Sequence, residues 1–295
     1  MTTTITTHNG QFHADEVFAY TLLNNIFPDN KLIRTRDEKI INKSDIVIDV
    51  GMKYDPENNR FDHHQKNCNE KFSDMEILMS SAGMVFKTYG KLFLEKKFQD
   101  TINNDFYIEV YKNIVLEIDA IDNGIKQEKS KYYINTGISR MVSRFNSFEV
   151  FDDKKQLEQF FKAVEYTQTV LDIVLHELYQ KHLLFKEEYT KMKQIIDKTT
   201  NEYIIVDFNC ENWYKCIKKY ESENPDKNKI NWIIYKDSEN WRIRTVSFES
   251  KKLKDEEYLR SVVTNPDEII FVHKALFIAS SKTIETVIEI AENSL

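Results

Sequence analysis

A chain of 295 residues with 41% hydrophobic and 13% aromatic content is long enough for two packed domains and too apolar for a disordered polymer. Its net charge of −7 excludes a global basic field of the kind that coats nucleic acid or anionic membrane without catalysis. A nuclease that holds divalent cations is still admitted, because the acids that bind the ions depress the formal count.

Thr3 to Thr7 is Thr-rich and β-prone, and reads as a first strand that delivers His8 at its C-terminal end. Asn9-Gly10 makes a turn, and a helix is predicted from about Asp15, its apolar positions Val17, Phe18, Leu22, Leu23 and Ile26 recurring at helical spacing until Pro28. Leu32 to Arg36 is a second strand, Glu38 to Lys43 a short helix, and Ile46-Val47-Ile48 a third strand ending at Asp49. Strands alternating with helices, with unbroken apolar runs, predict a mainly parallel sheet covered by helices on both faces. In such sheets the ligand site lies beyond the carboxyl ends of the strands, where His8 and Asp49 both fall.

Ser80-Ser81-Ala82-Gly83 is expected to cap a helix to about Lys97, and another spans roughly Asn104 to Ile121. A helical stripe then runs from Lys155 to about Ile196 through Leu157, Phe160, Phe161, Val164, Leu171, Val174, Leu175 and Leu178. Beyond it the composition turns β-type, at Tyr203–Phe208, Trp232–Tyr235, Trp241–Phe248 and Ile269–Val272, with a hairpin loop at Lys236–Asn240 and a last helix over about Lys282–Asn293. The expected architecture is α/β, with a first domain at 1–180 and a smaller α+β domain at 181–295. The odd set Cys68, Cys210 and Cys216 contains no CxxC pair and reads as reduced packing residues. No apolar run has the length of a membrane span and no leader pattern opens the chain, so an intracellular soluble protein is expected.

Four of the seven histidines lie within the first 64 residues, each near an aspartate. His8, His13, Asp15, Asp49, Asp62, His63, His64, Asp119 and Asp122 together offer the oxygen and imidazole donors of a divalent-metal phosphoesterase. Any one His–Asp pair is more often a surface hydrogen bond. Two such motifs and a strand-end acid, in the order one site needs, favour metal. Asp49 is the candidate bridge between two ions, because a carboxylate ending a buried strand is rigidly placed. Arg34, Arg36, Arg140 and Arg144 are the candidate phosphate contacts, arginine being suited to bidentate phosphate recognition. Trp213, Trp232 and Trp241 read as core packing rather than base stacking.

His8-Asn9-Gly10-Gln11-Phe12-His13-Ala14-Asp15-Glu16, Arg34-Thr35-Arg36-Asp37, Asp49-Val50-Gly51, Arg60-Phe61-Asp62-His63-His64-Gln65, Ser80-Ser81-Ala82-Gly83 and Asp119-Ala120-Ile121-Asp122-Asn123-Gly124 resemble, in order, the melanocyte-proliferating-gene (Myg) exonuclease family. That family is a branch of the DHH phosphoesterase superfamily, and the likeness runs on through Trp241–Val246 to Phe271-Val272-His273. The resemblance implies a DHH-type metal-binding catalytic domain, a C-terminal substrate-binding domain and manganese-dependent 3′–5′ RNA exonuclease activity. It implies His8, His13, Asp15, Asp49 and His63 as ligands of two Mn²⁺ ions, Mg²⁺ being the other candidate, completed by Asp119 or Asp122. His64 would face the scissile phosphate as the catalytic histidine, either binding it or protonating the leaving oxygen, and Asp62 would orient a histidine from behind. Met52 stands where the family usually has a second glycine, and Lys274–Ser281 replaces a Gly-rich stretch. The substrate expected is RNA or an oligonucleotide. The rivals are a small-substrate phosphatase acting on pyrophosphate, short oligonucleotides or a cyclic dinucleotide, and a non-catalytic metal- or RNA-binding scaffold.

Overall fold

The computed structural model describes residues 2–126, 134–146 and 152–295, and the chain divides into two compact units, Met1–Gln180 and Lys181–Leu295. In the first unit, β1 (Thr4–Thr7), β2 (Lys31–Arg34) and β3 (Ile46–Ile48) run parallel, with Ile5 opposite both Leu32 and Ile46. Two short strands complete the sheet, β4 (Tyr54–Asp55) and β5 (Arg60–Phe61), in the order β2-β1-β3-β5-β4. With two residues each, they are too short to show a periodicity of two, and sequence reading passes them by. Their consequence is large. β5 runs parallel to β3, with Ile48 opposite Phe61, so Asp49 and Asp62-His63-His64 leave the sheet at the same edge as His8.

Helices cover both faces, as unbroken apolar strands require. On one face Ile5, Ile46 and Ile48 join the main core with Phe18 and Leu22 of α1 (Ala14–Ile26) and Val85 of α3 (Ser81–Phe98). On the other, Val47 packs with Val50 and with Ile41 of α2 (Glu38–Ile41). Ser80 caps α3 as expected, its hydroxyl accepting from the Ala82 N–H at 3.3 Å.

The helix expected over Asn104–Ile121 is interrupted. α4 (Asn104–Val110) and α5 (Leu116–Asp122) are joined by a π-helical turn at Tyr111–Val115, a wider winding that resets which face of α5 looks inward. Short α6 spans Ile138–Ser143, and α7 runs without a break from Asp153 to Lys198. On α7, Phe160, Val164, Leu171, Leu175 and Leu178 belong to the core of the first unit.

The second unit has a sheet of order β6-β7-β8-β10-β9, formed by β6 (Tyr203–Val206), β7 (Trp232–Asp237), β8 (Asn240–Thr245), β9 (Ile269–Val272) and β10 (Ile278–Ser281). Only β6 and β7 are parallel. β10 lies inside the stretch that departs from the family pattern, so Ile278–Ser281 is sheet rather than loop, paired with β8 and β9. The hairpin loop is tighter than expected: Asp237 pairs with Asn240 across a two-residue turn in which Ser238 takes φ 56°. Helices α8 (Trp213–Glu223), α9 (Glu256–Val262) and α10 (Ile284–Glu292) complete the unit. Sequence reading missed α8, although Trp213, Cys216, Ile217 and Tyr220 recur on one face. Of the tryptophans, Trp232 is a core residue.

Candidate metal centre

His8 follows β1 directly and is buried, its Nε2 lying 3.0 Å from Glu16 Oε1 and 3.2 Å from Asp49 Oδ2. His13 caps α1, and Glu16 closes a capping box by accepting from the His13 backbone N–H at 2.9 Å. The loop between them is braced at two points. Asn146 both accepts from the Phe12 N–H and donates to the Phe12 carbonyl, and the Arg34 guanidinium donates to the Gly10 carbonyl at 2.8 Å. Gly10 itself takes φ 86°, which glycine adopts without penalty.

Asp49 is the geometric centre. Its backbone sits in the left-handed region at φ 54°, a conformation costing a non-glycine residue about 1–2 kcal/mol. Such strain persists only where the surroundings over-determine it. Oδ1 accepts from the Ser81 hydroxyl at 3.1 Å and lies 3.5 Å from both His63 Nε2 and His64 Nδ1. Burial works to raise the Asp49 pKa, but the bonds from His63 and His8 outweigh it and hold the carboxyl well below the usual range. After Val50 the backbone returns to positive φ, at 97° for Gly51 and 54° for Met52.

His63 Nε2 also lies 3.1 Å from Asp122 Oδ2. Burial opposes protonation of His8 and His63, yet the carboxylates around them win and push each imidazole up to about 10. Asp15 lies in the same field. Burial, then the charges of Asp49, Glu16 and Asp122, raise its pKa well above the ordinary value.

Three donor groups result: His8, His13, Glu16 and Asp49; Asp49, His63 and His64; and His13, Asp15 and Asp122, the ligating atoms within each lying within 4.8 Å of one another. Asp49 is common to two groups and His13 to two. Both Asp15 oxygens are buried without a hydrogen-bond partner, and Glu16 Oε1 and His63 Nε2, also buried, face only an imidazole and carboxylates. Orphaned buried carboxylate oxygens are costly and rare in proteins, and hard oxygen donors mixed with imidazole suit Mn²⁺, Mg²⁺ or Zn²⁺. The residues present therefore fit divalent cations.

Asp119 stands apart from all three groups. It is fully buried, and its Oδ1 accepts from the Ser80 N–H at 3.0 Å, the Ser80 hydroxyl at 2.6 Å and the Gly83 N–H at 3.0 Å. The Tyr111 hydroxyl donates to Oδ2 at 2.7 Å. A Cβ on Gly83 would come within 2.2 Å of that carboxylate, so the glycine admits it. Asp119 thus anchors the start of α3, where Ser81 holds Asp49. Of the two acids the sequence leaves open, Asp122 is the one beside His63.

Asp62 is buried behind the histidines. Oδ1 takes His64 Nδ1 at 2.8 Å and the His64 N–H at 3.0 Å, and Oδ2 accepts from the Met52 N–H at 2.6 Å. The bond to Asp62 is what raises the His64 pKa. His64 is half exposed, and its Nε2 has no partner among the described residues.

A cavity of about 750 Å³ opens over this edge, lined on the metal side by His8, His13, Asp49, Asp62 and His64. Arg36 lines it too, but the other three arginines do not. Arg34 is largely buried, stacked 4.9 Å from the Phe160 ring centre and 5.4 Å from that of Phe12, with its guanidinium donating to the loop at Gly10. Arg140 is exposed on α6 and Arg144 is exposed at its C-cap. Glu16, which sequence reading leaves out of the ligand set, is a full member of the first donor group. The visible signal is the acid three residues after the His13 cap.

Residues 4–295 match the family model MYG1_exonuc, described as "Uncharacterised protein family (UPF0160)". The chain is 32% identical to the MYG1 protein of Dictyostelium discoideum, over 99% of this chain and 96% of that one. It is 29% identical to the human MYG1 exonuclease, over 99% of this chain and 85% of that one. Among solved structures it is similar to a pGpG-specific phosphodiesterase from Vibrio cholerae at 13% identity and TM-score 0.33, covering 99% and 97% of the two chains. Superpositions that loose say nothing about chemistry.

Proposed function

We infer the activity from one premise: the chain belongs to the MYG1 exonuclease family. The reading is a divalent-metal-dependent phosphodiesterase, most specifically a 3′–5′ exonuclease on RNA, with Mn²⁺ as the favoured ion. The observation that carries it is the Asp49 carboxylate, shared between two donor groups, with both oxygens of Asp15 in the adjoining group buried and without a hydrogen-bond partner. In this proposal His8, His13, Asp15, Asp49, His63 and Asp122 hold two ions, with Glu16 beside them. Bound there, the ions would supply positive charge to the phosphate oxygens and hydroxide at neutral pH.

The chain's own groups do the rest. His64, held through Nδ1 by Asp62, presents its partner-free Nε2 to the cavity and protonates the departing oxygen. The bond to Asp62 raises its pKa, which favours the proton-carrying form. Asp62 is a positioning residue for His64. Arg36 is exposed with no ion pair among the described residues, and it neutralises a phosphate on the cavity wall. Residues 181–295 are assigned to substrate binding as part of the same proposal. The cavity volume lies in the range of sites for small ligands, which keeps a small-substrate phosphatase as the second reading.

The test uses protein stripped with chelator and re-supplied with Mn²⁺ or Mg²⁺, acting on a 5′-labelled single-stranded RNA beside a dinucleotide. A metal-dependent ladder shortening from the 3′ end, lost in Asp49→Ala, is expected. Turnover of the dinucleotide alone replaces the exonuclease by the small-substrate enzyme. No turnover of either overturns the phosphodiesterase.

A further inference from the structure

Besides the metal-side groups, the cavity is lined by Gln11, Arg36, Glu38, Ile41, Asn42, Val50, Gly51 and Met52. Ile41 and Val50 are buried with Val47 and make this wall rigid. Met52 differs sharply from them, with 61% of its surface exposed. An exposed apolar side chain is unremarkable by itself. Met52, however, also holds a left-handed backbone at φ 54°, which a glycine would adopt without strain. Its N–H is tied to Asp62 Oδ2 at 2.6 Å, so its Cα is fixed relative to the His64 clamp. The backbone task needs no side chain, and the methionine makes the backbone task harder. What the side chain supplies is an exposed, polarizable apolar face beside the buried Ile41 and Val50, in a cavity whose other side chains are acids, imidazoles, amides and Arg36.

Gln11 and Asn42 add to the pattern. Neither side chain has a hydrogen-bond partner among the described residues, and an amide can present either a donor or an acceptor to a heterocycle edge. Arg36, equally free, supplies a cation for phosphate. A flat apolar-faced heterocycle with polar edges, carried on a phosphate, is the ligand chemistry that uses all of these groups.

We propose that this wall is a nucleoside subsite in which Met52 packs against the base of the nucleotide beside the scissile phosphate, making it a specificity-determining residue for nucleotides over base-free phosphate esters. The inference deepens the phosphodiesterase reading and rests on it for the direction of the scissile phosphate. Sulfur and methylene groups attract any aromatic ring face, so the platform accepts all bases. This suits an enzyme that must shorten chains of any sequence.

The experiment is equilibrium binding of uridine 5′-monophosphate and of ribose 5-phosphate to the full chain with Mn²⁺, by calorimetry. The wild-type protein is expected to favour the nucleotide by about tenfold. Met52→Gly keeps the N–H to Asp62 and relieves the backbone, and it is expected to shrink that preference at least threefold, whereas Met52→Leu retains most of it. Circular dichroism confirms that the variants are folded. Equal affinity for the two ligands in the wild type, or an undiminished preference in Met52→Gly, overturns the subsite. A base preference lost in Met52→Gly, in a protein that hydrolyses no phosphodiester, leaves the subsite standing while the activity falls. Hydrolysis without a base preference does the reverse.

Discussion

The two units of this protein each bring metal-ligand side chains together, and the comparison shows what such a gathering is worth. In the second unit Glu188, Cys210 and Cys216 place their ligating atoms within 4.8 Å of one another, as the groups around Asp49 do. Yet both oxygens of Glu188 are occupied. Oε1 accepts from the Glu211 N–H at 2.7 Å, and Oε2 accepts from the Asn212 N–H at 3.1 Å and from Asn212 Nδ2 at 2.7 Å. Glu188 is a helix-cap surrogate that satisfies donors at the start of α8. In the first unit Asp15 is equally buried, and neither of its oxygens has anything to accept. Proximity of donors is common to both. Among the described residues, a buried carboxylate with no partner is found beside Asp49 and not around Glu188, and it is this that calls for a cation.

The strongest way to break the comparison is at the two acids of α5. Asp122→Ala is expected to weaken Mn²⁺ binding at least 100-fold, read by titration calorimetry, while thermal stability of the chelated protein changes little. Asp119→Ala is expected to lose about 3 kcal/mol of stability in urea unfolding, because it strands the Ser80, Gly83 and Tyr111 donors in the core. If the two phenotypes exchange, the separation of ligand from anchor is wrong.

A second effect follows from pH. In chelated protein the folded-state pKa values of His8 and His63, pushed up to about 10, exceed the unfolded value of 6.5. The stabilisation is then complete below about pH 6.5 and lost as pH rises through about 10. Melting temperature of the chelated protein is expected to fall across that window. Saturating Mn²⁺ should flatten or invert the trend, since a metal competes with the protons for these imidazoles. Parallel curves with and without metal would argue against His8 and His63 as ligands.

The smallest effect belongs to the second unit. Glu188→Gln is expected to cost on the order of 1–2 kcal/mol, the loss of charge-assisted caps, with Mn²⁺ affinity of the whole chain unchanged. A changed metal stoichiometry would erase the contrast between the units.

Much of the site was legible in the chain. The histidine–acid motifs, the strand ending at Asp49 and the Ser80 cap are local patterns, and the strand and the cap form where local rules put them. Arg34 shows where such rules stop. Its residue type suits phosphate, but Phe160, 126 positions away by number, claims its guanidinium face.

Sequence alone determined most of the donor inventory, Glu16 excepted, and the parallel β1–β3 arrangement, because periodicity and turn chemistry are written within a few residues. Only the tertiary structure decided which donors converge. Asp119 and Asp122 are separated on a helix by about 60° of rotation and roughly 4.5 Å of rise. That step sends one to the start of α3 and the other to His63. It depends on a π turn and on Ser80, 39 residues away, and no window of neighbouring residues contains both. The same holds for Met52, whose exposure in the cavity follows from the Asp62 carboxylate that fixes its backbone rather than from any property of methionine.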